Sequence, residues 1–359
     1  MTYMRATLVV GAILFFSSCG TDPNEAVTLS STLRMTPASE GGGLLTGLPA
    51  KVSLFFSLDK ATGEPVSGLG ASAFDLFEDG RRISPYESQL RISPKGERFR
   101  TSSLLLLDMS GSILRSGGFP ALRNGAAAYI SEVLKAASDG QRIALATFDG
   151  RAAIQLLSPF SSDSATLLAA LDSLQTKECN TASDCATFED RKMCAAWRCV
   201  DDSTNLNGAV VGGLDVLAKQ VAEVGIAYHD TALVVFTDGT DQAARIPQAS
   251  MLQTLANSTS HVFTVGLGGD VDASLMQRLG RDGSFFATAS ADLLSAFQRV
   301  ARAITAKANR FYALEYCSPK RAGRHELKVT TTLRDGPQVY TGTMTREFDA
   351  SGFTSGCTL

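Results

Sequence analysis

Between residues 102 and 308 the chain alternates short, almost wholly apolar runs with longer stretches in which apolar residues recur at helical spacing. Runs at 103–107, 143–148, 154–157, 232–236, 262–267 and 285–289 read as strands. LLLL and LVVF contain no polar alternation, so these strands are expected to be covered on both faces, as in a parallel sheet. Segments 120–137, 165–174, 206–224, 248–257, 273–279 and 291–308 read as helices; in the last, Leu293, Leu294, Phe297, Val300, Ala301 and Ile304 form one core-facing stripe. Strand and helix in turn predict a doubly wound, mostly parallel α/β domain over 101–308.

The flanks carry a period of two instead. In KVSLFFSL, Val52, Leu54, Phe56 and Leu58 alternate, and Asp79-Gly80 and Asp335-Gly336 are hairpin signals. Each flank is about 50 residues, small for an independent core. The spans 44–100 and 309–359 together have the size of an immunoglobulin-like β-sandwich. One such sandwich interrupted by the α/β domain is therefore expected.

Residues 1–18 have the form of an export signal, with Arg5, an apolar run from Leu8 to Phe16 too short to span a bilayer, then Ser17 and Ser18. FFSSC resembles the lipobox of bacterial lipoproteins, which implies a lipidated Cys19 at the mature N-terminus, anchorage in the bacterial cell envelope, and a flexible tether over 19–43. Of seven cysteines, the six others suit an oxidising compartment. Cys179, Cys185, Cys194 and Cys199 crowd into the span 177–202 without the CxxC pairs of a zinc knuckle, so two local bridges are expected. The four permit three pairings. The segment resembles small Cys-rich inserts of exported bacterial proteins, which implies first with third and second with fourth. Cys317 and Cys357 are candidates for a clip across the C-terminal strands.

A net charge of −3 with no basic run gives nucleic acid no footprint. The three histidines (His229, His261, His325) lie far apart and in no zinc-enzyme spacing. No nucleophile motif stands out either: Ser110 lacks GxSxG, and Asp108 lacks the second acid two residues on that phosphoaspartyl chemistry wants. A non-enzyme is expected.

Two motifs fall at strand ends. Strand 103–107 runs into Asp108-Met109-Ser110-Gly111-Ser112, and strand 232–236 into Thr237-Asp238-Gly239. Ligands of an open parallel sheet bind beyond the carboxyl ends of its strands. Hydroxyls and acids gathered there suit a hard, oxygen-loving cation. The order DxSxS, a Thr before a helix, then TDG resembles the von Willebrand factor type A family over roughly 100–308. The resemblance implies a metal-ion-dependent adhesion site of Asp108, Ser110, Ser112, Thr204 and Asp238, holding Mg²⁺ (or Mn²⁺ or Ca²⁺). It also implies a protein partner that offers an Asp or Glu carboxylate. The rival expectation is a structural cell-envelope protein whose metal site is vestigial or purely structural.

Overall fold

A computed structural model describes residues 30–38, 43–94, 99–135, 140–224 and 228–359. The signal segment, Cys19 and most of the expected tether lie outside these residues.

The N-terminal part supplies β1 (Ser30–Pro37), β2 (Leu44–Gly47), β3 (Lys51–Lys60), β4 (Phe74–Glu78), β5 (Arg81–Arg82) and β6 (Arg91–Pro94). An α/β unit follows: β7 (Phe99–Asp108), α1 (Gly111–Arg115), α2 (Phe119–Lys135), β8 (Gln141–Phe148), β9 (Gln155–Ser161) and α3 (Ser164–Ser173). A small hairpin, β10 (Met193–Ala195) and β11 (Arg198–Val200), precedes α4 (Leu206–Val224) and β12 (Tyr228–Thr237). The unit ends with α5 (Gln248–Asn257), β13 (His261–Leu267), α6 (Ala273–Leu279), β14 (Gly283–Ala287) and α7 (Leu293–Ala308). The chain then returns to strands: β15 (Phe311–Cys317), β16 (Arg324–Asp335) and β17 (Gln338–Asp349).

The α/β sheet has the order β14-β13-β12-β7-β8-β9, parallel except for the antiparallel edge strand β9. Alternate residues of β7 explain why its sequence shows no polar face. Leu105 and Leu107 enter the core formed with α2, α3 and α7, whereas Leu104 and Leu106 enter the one formed with α4, α5 and α6. The sheet reverses direction of winding between β7 and β12, the position at which doubly wound sheets open a crevice.

Strands from both ends of the chain share a second sheet path, β5-β4-β16-β17-β1-β3-β15-β6, with β2 on β3. One core joins Val52, Leu54 and Phe56 to Phe74, Tyr312, Leu327 and Phe348. Residues 30–37, within the expected tether, are strand: Ser30–Thr32 pair parallel with β17 and Leu33–Pro37 antiparallel with β3. The tether reading is corrected there. Ser and Thr signal a solvated spacer by composition, but Leu33 is buried in the β core and Met35 packs against it, a period of two that the short span hides.

The opposite face of β3 and β15 meets the base of the α/β sheet. Phe55 packs against Tyr228 at 5.1 Å with the rings tilted, and Phe99 packs between Tyr228 and Phe311 at 5.0 and 5.2 Å. Such aromatic contacts add to simple burial. They leave the carboxyl rim of the sheet at the far end from the β body.

Candidate metal centre

The rim is built by two strand ends at the switch point. β7 delivers Asp108, fully buried, and β12 delivers Thr237, also fully buried, then the partly exposed Asp238. The Ser110 amide donates to Asp108 Oδ1 at 2.8 Å, folding the loop back on its own aspartate. Thr237 Oγ1 donates to Asp108 Oδ2 at 2.6 Å. Ser112 Oγ donates to Asp238 Oδ1 at 2.8 Å and lies 3.2 Å from Ser110 Oγ. Asp108, Ser110, Ser112 and Asp238 thus converge from residues up to 130 apart in sequence.

Thr204 reaches the same rim by a different route. Its buried carbonyl accepts from the Gln242 and Ala243 amides at 2.9 and 3.0 Å, on the loop that follows Asp238. On its other side the Gly111 amide donates to Asp202 O at 3.3 Å, and the Asn205 amide to Asp149 O at 3.0 Å. The segment 202–205 is therefore stitched to three strand-end loops, while the Thr204 hydroxyl takes no part in the bonded chain above. A Cβ at Gly111 would overlap the Asp202 carboxylate, which accounts for the glycine inside DMSGS.

Electrostatics follow from burial. Desolvation pushes the Asp108 carboxyl up to about 7, against the hydrogen bonds from Ser110 and Thr237; the nearby charge that acts on it is a second carboxylate, Asp238. Asp238 is raised too, by burial and by Asp270, with the Ser112 hydroxyl opposing. A buried acid beside another acid, with hydroxyls at hydrogen-bond distance, is a donor set that fits a hard divalent cation. Among the described residues, the one cluster of three or more His, Cys, Asp or Glu is Cys179, Cys185 and Cys199, whose sulfurs are already taken by disulfides.

Thr237 is the member that sequence reading left out. Its position in TDG was visible, but its bond to Asp108 depends on β12 lying beside β7, which no local pattern announces. Arg115 and Asp202 form a second overlooked contact, an ion pair beside the serine loop.

The Cys-rich insert stands at this rim. Cys179 pairs with Cys194 and Cys185 with Cys199, first with third and second with fourth. β10 rests on α1, where Arg115 donates to the Met193 sulfur at 3.0 Å. The hairpin tip places Ala196 and Trp197 at positive φ (45° and 68°) and leaves Trp197 half exposed under the Lys177 ammonium. Far away in the β body, Cys317 pairs with Cys357. Among the described residues no helix is long and apolar enough to cross a membrane.

The family model described as von Willebrand factor type A domain matches residues 103–240. No curated protein matches the chain. Among solved structures, a von Willebrand factor type A protein from Catenulispora acidiphila is 10% identical with a TM-score of 0.45, over 93% of this chain and 76% of that one. The ArnB paralog VWA2 from Sulfolobus acidocaldarius is 14% identical with a TM-score of 0.40, over 90% of this chain and 76% of that one. Proximal thread matrix protein 1 from the mussel byssus, with a zinc-occupied MIDAS motif, is 10% identical with a TM-score of 0.44; 58% of this chain covers 48% of that one. Carried by the family match and not by these distant likenesses, the conclusion is that residues 103–240 belong to a von Willebrand factor type A domain.

Proposed function

We propose that this is an exported, lipid-anchored binding protein of the bacterial cell envelope that holds a divalent cation, Mg²⁺ foremost, and uses it to capture a carboxylate of a protein partner. The observation that carries the reading is the fully buried Asp108 carboxyl, raised by burial, with neutral donors against it and another acid as the charge that acts on it. Ser110 and Ser112 supply neutral oxygens, Asp238 a second carboxylate, and Thr204 a hydroxyl on a loop tied to both. A bound ion supplies the local positive charge that an acidic partner needs on a chain of net charge −3. The hydrogen-bonded convergence of all four side chains speaks against a vestigial site, since a vestigial site has no reason to keep its donors aligned.

Binding rather than catalysis is also supported by where the histidines fall. His229 sits at the start of β12, bonded to Ser102 at 2.7 Å, at the opposite end of the sheet from the rim. Calorimetry with Mg²⁺ on the wild type and on Asp108→Ala tests the metal; a heat of binding retained by Asp108→Ala would remove the rim from the account. Capture of envelope proteins in Mg²⁺ against EDTA then tests the carboxylate partner. Metabolic labelling with a fatty-acid analogue, lost in Cys19→Ser, tests the anchor.

A further inference from the structure

A cleft of about 570 Å³ opens in the β body, far from the metal rim. Four basic side chains (Arg81, Arg82, Lys320, Arg321) line it against two acidic ones, Glu78 and Glu87. That is a reversal of the sign of the whole chain. Its volume falls within the range of small-ligand sites, roughly 300 to 1,000 Å³.

Glu78 gives the cleft its chemistry. The residue is 2% exposed and ends β4. Tyr316, reaching from β15, donates to Oε1 at 2.8 Å, whereas Oε2 is buried with no hydrogen-bond partner. A buried acceptor left unpaired is costly, more so when charged, so a donor is wanted at this atom. Two of the bases are already engaged with acids: Arg82 with Asp75, and Lys320 with Asp79. Arg81 is exposed, and Arg321 is braced by its donation to the Ser318 and Lys320 carbonyls. The Cys317–Cys357 bridge, which also lines the cleft, ties the C-terminal residues to β15.

A simple anion would meet the Glu78 carboxylate, and a simple cation would meet four bases. We propose that the cleft binds a zwitterionic amino acid or short peptide, its ammonium held at the acidic wall of Glu78 and Glu87 and its carboxylate meeting Arg81 and Arg321. The site is independent of the metal rim.

Calorimetry on the full chain tests this with glycine, glycylglycine and triglycine as probes, and acetate, ethylammonium, N-acetylglycylglycine and inorganic phosphate as controls. At least one zwitterion should bind, each control at least about tenfold more weakly, since each control lacks one of the two charge-assisted contacts. The three peptide lengths decide between a free amino acid and a peptide. Glu78→Gln should weaken the best probe by at least about tenfold, and the exposed Arg81→Ala by a few fold. Arg81→Ala keeps the test open if Glu78→Gln fails to fold. No binding by any zwitterion, equal binding by acetate, ethylammonium or phosphate, or an Arg81→Ala variant with unchanged affinity would each overturn the assignment.

Discussion

Both ends of the α/β sheet hold a shielded aspartate, and the two sit in opposite electrostatic settings. At the carboxyl rim, Asp108 has hydroxyl donors and a second acid for company, and burial raises it to about 7. At the base, burial would also raise Asp282, but His261 at 2.7 Å, the Val262 amide and Lys307 at 3.0 Å hold it well below the usual carboxylate range. His261 in turn contacts Asp230 at 3.4 Å, and Arg310, just past α7, reaches Asp59 of the β body at 3.3 Å. The difference teaches that burial alone does not mark a site. The base carries its own cations and is an ionic joint between the two units, whereas at the rim Asp108 and Asp238 are met by hydroxyls and by no cation among the described residues.

The contrast breaks most sharply at Asp108. Asp108→Ala should abolish Mg²⁺ binding, a loss of more than about 100-fold by calorimetry, because even second-shell changes cost 10–100-fold at metal sites. Asp282→Asn should destabilise the protein by about 3 kcal/mol in urea unfolding, since it strands Lys307 without its counter-charge and leaves His261 with Asp230 alone. Asp108→Asn should do the reverse in EDTA: removing an uncompensated buried charge should stabilise the metal-free protein at pH 8 by on the order of 1 kcal/mol. An Asp108→Asn variant less stable than wild type would mean that the rim is as self-sufficient as the base.

The pH dependence separates the two ends more finely. Burial works to lower His261, but its bonds to Asp230 and Asp282 win and raise it. Its contribution is therefore complete below its unfolded value of about 6.5 and is lost as pH climbs through the raised folded value. Asp108 is raised as well, so its own contribution to the metal-free protein is largest below about pH 4 and falls as pH rises through about 7. Saturating Mg²⁺ should erase the acid-side slope and leave the one above pH 6.5, which His261→Gln should flatten. Urea midpoints from pH 4 to 9, with and without Mg²⁺, measure both.

The rim was more legible in the sequence than the β body. Uninterrupted apolar runs such as LLLL and LVVF leave little choice but a covered parallel strand, and each hands its polar motif to the same edge of the sheet. The observed strands agree to within four residues at either end, with β7 and β12 starting earlier and β9 running on to Ser161. Size and turn spacing alone point to an immunoglobulin-like sandwich for the flanks. The order β5-β4-β16-β17-β1-β3-β15-β6, with β1 divided between two neighbours, could not be read, because pairing between Ser30 and Val339 leaves no local mark. For the same reason Thr237 escaped notice as a partner of Asp108, and Glu78 as a buried acid. FDLFEDGRRI looks like an ordinary hairpin until Tyr316, 238 residues on, arrives beside it.

The division of β1 has a mechanical consequence. A load entering at Ser30 along the strand axis meets β17 on one side and β3 on the other, so several hydrogen bonds are strained together in shear rather than opened one at a time. Tension applied from the N-terminal side would thus pass into the β body without peeling its first strand away.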